Sequence, residues 1–179
     1  MAAGATIHTF DATLADVDRG VYESFALRVA RHPSETDAFM LTRLLAYCLE
    51  YEEGIDFTEG IAAKDEPAVL VRDLTGSIVA WIEVGAPDAS RLHLGSKQAD
   101  RVAVYTQRNP GPIVAAWAGK KIHRVSDIAL HSFEPGFIDT LVTALDRRNT
   151  VTVSVTERHL YVELNGVTAE SDVITQPAG

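Results

Sequence analysis

Two short apolar runs around an Asp-x-x-Gly turn constrain this chain more than any other stretch. Ala68 to Val71 and Ile78 to Val84 flank Asp73-Leu74-Thr75-Gly76, with Asp at the first and Gly at the fourth position of a type I turn. That pattern predicts a β-hairpin over 68–73 and 78–84. Its two faces are both apolar: Ala68, Leu70, Val79 and Trp81 on one, Val69, Val71, Ile78, Ala80, Ile82 and Val84 on the other. Strands covered on both faces belong in the middle of an α/β sheet, so Trp81 reads as core.

The open end of this hairpin carries acids: Asp65 and Glu66 before the first strand, Glu83 near the end of the second. With Leu74 and Thr75 as the loop, Glu66 stands opposite Glu83; a bulge at Gly76 brings Asp65 there instead. Opposed like charges destabilise a strand pair by roughly 0.2–1 kcal/mol, and a bound cation offsets that. Carboxylates suit hard cations, so Asp65, Glu66 and Glu83 are candidate ligands for Mg²⁺ or Mn²⁺. A salt bridge to Arg43 or Arg72 is the competing reading of the same acids.

Residues 5–14 and 22–31 alternate around a turn at Asp16 to Gly20, predicting an N-terminal antiparallel hairpin. His32-Pro33-Ser34-Glu35-Thr36-Asp37 reads as a helix start capped by Ser34, and Leu41, Leu44, Leu45, Cys48 and Leu49 form one stripe of the helix that follows. A strand is expected at 55–57 and a loop at 60–64. Beyond the central hairpin come a helix over 91–100, a strand at 102–106, a helix from Pro112 to Gly119, a strand over 126–133, a helix over 134–148, and a C-terminal hairpin of 150–156 with 159–164. The tail from Gln176 is expected to fray. No linker or repeat interrupts the 179 residues, which read as one domain.

The chain is acidic overall, net −9, but the charge is uneven. Between Arg91 and Arg124 lie Arg91, Lys97, Arg101, Arg108, Lys120, Lys121 and Arg124 against the single acid Asp100, a local +6. Such asymmetry points to an electropositive surface for nucleic acid; solvated helix faces are the plainer explanation. No apolar run approaches about 20 residues, so no membrane span is expected. The N-terminus lacks a basic start and an apolar h-region, so no signal peptide is visible. Cys48 stands alone among apolar residues, as a core thiol in a cytoplasmic protein does. Phosphate-cradling glycine motifs, H-x-x-x-H pairs and a G-x-S-x-G elbow are all missing.

Three blocks, in order and at their spacing, carry a family resemblance: His32-Pro33-Ser34-Glu35-Thr36, Asp65-Glu66-Pro67, and Trp81-Ile82-Glu83-Val84-Gly85-Ala86-Pro87-Asp88. With Val102-Ala103-Val104-Tyr105-Thr106 they resemble the signature of the YaeQ family over essentially the whole chain. That family resembles the PD-(D/E)XK (restriction endonuclease-like) nucleases, with a core ordered α-β-β-β-α-β, to which the terminal hairpins would be additions. The resemblance implies Glu35 as the acid on the first helix, Asp65 or Glu66 on the second core strand, and Glu83 as the acid of the E-x-K step. Gly85 occupies the lysine position of that step. Lys97, with Gln98 beside it, is the expected substitute, reaching back from the next helix into the space the glycine leaves. Two functions follow as expectations: a metal-dependent nuclease-like protein, or a non-catalytic module of the same fold that binds nucleic acid or a protein partner.

Overall fold

The computed structural model describes residues 4–59 and 65–179. The loop expected at 60–64 lies outside them. The fold is mixed α/β and dominated by strands, and it divides into two compact units: unit 1 is Met1–Leu41 with Phe133–Val173, unit 2 is Thr42–Ser132 with Ile174–Gly179.

Unit 1 is built on alternation. β1 (Thr6–Asp16) and β2 (Val21–Arg31) pair antiparallel without a break from Thr6↔Arg31 to Asp16↔Val21. β1 also runs parallel to β8 (Arg148–Thr156), which pairs antiparallel with β9 (His159–Leu164), and β9 with β10 (Val167–Pro177). Phe10, Ala12, Leu14, Val151, Val153, Val155, Leu160, Val162 and Leu164 are all buried, while Thr150, Thr152, Tyr161 and Glu163 between them face outward. One face buried and one wet is the habit of antiparallel sheets. The helix expected over 134–148 shrinks to α4 (Phe137–Val142), because β8 already begins at Arg148. The tail is not frayed. β10 carries it to Pro177, and the Ala178 N–H donates to the Ile128 carbonyl at 2.9 Å.

α1 (Asp37–Leu49) buries the expected stripe of Leu41, Leu44, Leu45, Cys48 and Leu49. Its cap is Thr36, not Ser34: the Thr36 hydroxyl accepts the Phe39 N–H at 3.0 Å, whereas Ser34 bonds the His32 ring.

Unit 2 holds β3 (Ile55–Phe57), β4 (Val69–Arg72) and β5 (Ile78–Val84) as antiparallel neighbours. β6 (Arg101–Thr106) then runs parallel to β5, and β7 (Ala129–Phe133) parallel to β6. α2 (Ala89–Gln98) joins β5 to β6, and α3 (Pro110–Trp117) follows β6. As the two-faced apolar pattern requires, Trp81 is core, packed with Leu92, Val104, Ile113, Trp117 and Leu130. Gly95 lets α2 lie directly on that indole: a Cβ there would sit 2.6 Å from the ring.

The hairpin turn forms as read. The Gly76 N–H closes on the Asp73 carbonyl at 3.0 Å, and Asp73 Oδ1 accepts the Thr75 and Ser77 N–H groups. The register is neither of those expected. Arg72 pairs with Ile78, a bulge follows between Val71 and Arg72, and beyond it Val69 pairs with Ile82. Continued one step, that register sets Ala68, not Glu66 or Asp65, across from Glu83.

Candidate functional site

Glu83 lies on β5 two residues from Trp81, hence on the same face of the strand. It is 4% exposed. A carboxylate buried so deeply requires donors, and it has them: Trp81 Nε1 donates to Oε2 at 2.8 Å, and Arg91 Nε to the same oxygen at 2.9 Å. Arg91 Nη2 reaches Oε1 at 3.4 Å and donates to the Glu66 carbonyl at 2.5 Å, tying the entry of β4 to the exit of β5. Burial pushes the Glu83 carboxyl above its usual range; Arg91 and Trp81 oppose that shift.

The position two residues after Glu83 is set by the backbone. Gly85 has φ +90° and continues the ladder by donating its N–H to the Tyr105 carbonyl at 2.8 Å. A lysine there would carry its Cβ in the left-handed region. Into the space beside Glu83 comes Arg91, from the first turn of α2. Lys97 does not enter it. Six residues further along, about 9 Å down the helix axis, Lys97 and Gln98 are exposed in the last turn.

Each of the remaining candidate acids has surroundings of its own. Asp65 is exposed and Glu66 half-buried. Both line an open groove of about 860 Å³ with Asp56, Glu59 and Arg72, of whose lining Glu83 is no part. Glu35 lies in unit 1, in the turn before α1 rather than on the helix; it is buried, and its Oε1 accepts the His32 N–H at 3.4 Å. Among the described residues no three His, Cys, Asp or Glu side chains converge as a metal site.

The +6 stretch divides into cations with protein partners and cations that are exposed. Arg91 is committed to Glu83. Arg101 pairs with Glu50 and, at 3.5 Å, Glu52, while the Tyr105 hydroxyl donates to Glu50 from the next turn of β6. Arg124 caps α2: its guanidinium donates to the carbonyls of Ser96 at 2.6 Å, Ala99 at 2.7 Å and Asp100 at 3.2 Å. Lys97, Arg108, Lys120 and Lys121 remain exposed. The residue missed by reading the sequence is His123, the partner of His93. The His123 N–H donates to His93 Nδ1 at 3.0 Å and the two rings meet edge to face. Desolvation, then Lys97, Lys121 and His123, hold the His93 ring below the ordinary histidine range. The end of α2 and the 120–124 loop thus share one basic surface. The sequence signals for it are the charge asymmetry and the four-residue spacing of His93 and Lys97, which sets both on one helix face.

The sequence model of the family described as YaeQ protein matches residues 1–173. The "Uncharacterized protein YaeQ" of Escherichia coli (strain K12) is 42% identical over 106 residues, 59% of this chain and 59% of that protein, and the Shigella flexneri protein of the same description matches equally. The alignment therefore spans about three-fifths of the length of these relatives. The crystal structure of YaeQ protein from Pseudomonas syringae superposes with a TM-score of 0.87 at 30% identity, over 99% of this chain and 100% of that one. That of the Xanthomonas axonopodis pv. citri protein does so with 0.86 at 26%, over 98% and 99%.

Proposed function

The chain belongs to the YaeQ family, and from that premise we propose that it is a non-catalytic nucleic-acid-binding member of a nuclease-like fold. The carrying observation is the Glu83 carboxylate. Both of its oxygens accept from side chains, Oε2 from Trp81 and Arg91 and Oε1 from Arg91, so the acid of the E-x-K step serves as a structural ion pair. The order α1-β3-β4-β5-α2-β6 supports the PD-(D/E)XK-like reading of this part of the chain. Binding is assigned to the basic surface of Lys97 and Lys121, with Lys120 next to Lys121 in the chain, which engages phosphates rather than base edges.

The test is a binding and cleavage screen of labelled single-stranded and duplex DNA and RNA, with Mg²⁺ or Mn²⁺. Expected is binding without cleavage, weakening as salt rises, with a log–log slope of about −0.7 per phosphate contacted on a single strand. The double variant Lys97→Glu, Lys121→Glu should lose it. No binding at low salt, or equal binding by the double variant, sinks the proposal.

A second reading keeps catalysis. Asp65 and Glu66 line an open groove with Asp56 and Glu59, a hard-oxygen set of the kind that takes Mg²⁺ or Mn²⁺. Metal-dependent cleavage abolished by Glu66→Gln but retained when Arg91 is replaced would favour it.

A further inference from the structure

We infer that uncharged His93 is a latch holding the loop that presents Lys121 beside Lys97, so that the surface binds nucleic acid at neutral pH and releases it in acid. The inference rests on the nucleic-acid reading above and concerns its regulation. His93 lies in the middle of α2, one turn before Lys97, and thirty residues before its partner His123. The bond between them runs from the His123 backbone N–H to His93 Nδ1. That ring nitrogen is therefore the unprotonated one, and the ring's own proton sits on Nε2. A second proton has only Nδ1 to go to, and an imidazolium accepts no hydrogen bond. Charging His93 thus removes the acceptor that fixes His123.

The surroundings set the same direction. Lys97 faces the ring from its own helix, and Lys121 and His123 face it from the loop. A charge on His93 adds a further cation among them. The far side of the loop stays anchored, because Ile122 is buried in the unit 2 core and Arg124 caps α2. What acid frees is the His123 backbone between those two anchors, and with it the setting of exposed Lys121 beside Lys97, with the fold intact. The sign is the informative part. A patch of lysines and histidines ordinarily gains affinity for a polyanion as its imidazoles charge; this latch reverses that.

Two measurements decide it. The first is binding of a short rhodamine-labelled single-stranded DNA at about pH 8 and about pH 4.5, well below the ordinary histidine value of about 6.5 because this ring is held lower. Binding should weaken roughly fivefold or more in acid, the low end of ordinary coupling between sites. His93→Gln, which keeps an acceptor and takes no proton, should flatten the profile, and His93→Ala should bind weakly at both values. The second is hydrogen exchange of the His123 amide without DNA, corrected for its intrinsic pH dependence: protected at the higher pH, unprotected at the lower, and pH-independent in His93→Gln. Affinity that rises in acid, or an amide equally protected at both values, overturns the latch. Absence of DNA binding at about pH 8, with the amide behaving as described, instead overturns the nucleic-acid reading and leaves the latch a device of the loop alone.

Discussion

Unit 1 and unit 2 bury their strands by different rules, and the charges they bury are matched in different places: in unit 1 Asp16 is held by Arg19 at the end of β1, in unit 2 Glu83 is held within the sheet. In unit 1 the outward positions of β8 and β9 are polar or aromatic, Thr150, Thr152, Tyr161 and Glu163 being exposed and His159 pairing with Asp172 at the surface. In unit 2 β5 and β6 are covered on both faces, so a charged group placed there must be matched inside. Glu83 is matched by Trp81 and Arg91, and Glu50, at the end of α1, by Arg101 and Tyr105. The charge follows suit. Unit 1 carries thirteen acids and six basic residues, net −7; unit 2 carries twelve and ten, net −2. Within the basic stretch of unit 2, three arginines with planar forks (Arg91, Arg101 and Arg124) pair internally, while the lysines and Arg108 are exposed. The lesson is that a two-faced sheet turns a functional-looking acid into a structural one unless a donor is withheld.

The largest effect should come from withdrawing the donor. Arg91→Ala leaves a buried carboxylate without its cation, at a cost of about 3 kcal/mol, the low end for breaking a buried pair because the Arg91 side chain is 29% exposed. Urea unfolding measures it, and adding Glu83→Gln should recover much of the loss. The pH dependence has a definite sign. A carboxyl raised above its unfolded value contributes stability that is fully present below that value and lost as pH rises through the folded one. Arg91 opposes that rise, so the cost of Arg91→Ala should grow from about pH 4 to about pH 7. A cost independent of pH would mean that Glu83 is already neutral and that the contrast between the units is not electrostatic.

Next comes packing. Gly95→Ala drives a methyl into the Trp81 indole and should cost about 2 kcal/mol, as overpacked cores do, with a change in the near-ultraviolet circular dichroism of the tryptophans. The smallest effect belongs to unit 1. Thr152→Ala, on the outward face of β8, should shift stability by less than about 0.5 kcal/mol. A large loss there would show that this face is covered and that the comparison is wrong.

Short-range patterns in the sequence determined a good deal. The N-terminal hairpin, the leucine stripe of α1, the Asp73–Gly76 turn and the burial of Trp81 each follow from the spacing of residues within one element, where periods of two and 3.6 and local turn bonds govern. Three blocks of residues also sufficed to point to the family. Other features depended on groups distant in the chain. β10 escaped notice because its residues alternate weakly and find their register only against β9. The acids at the hairpin's open end did not meet, because bulging at the turn and between Val71 and Arg72 moved every pair beyond them. Glu83 met Arg91 rather than Lys97 because a helix starting at Ala89 brings only its first turn to the end of β5. His93 met His123 because α3 and the loop after it return to α2. The sequence held the side chains; which lone pair each donor reached was decided by where the backbone brought them, and an ionic or hydrogen-bonded contact acts only over a few ångströms.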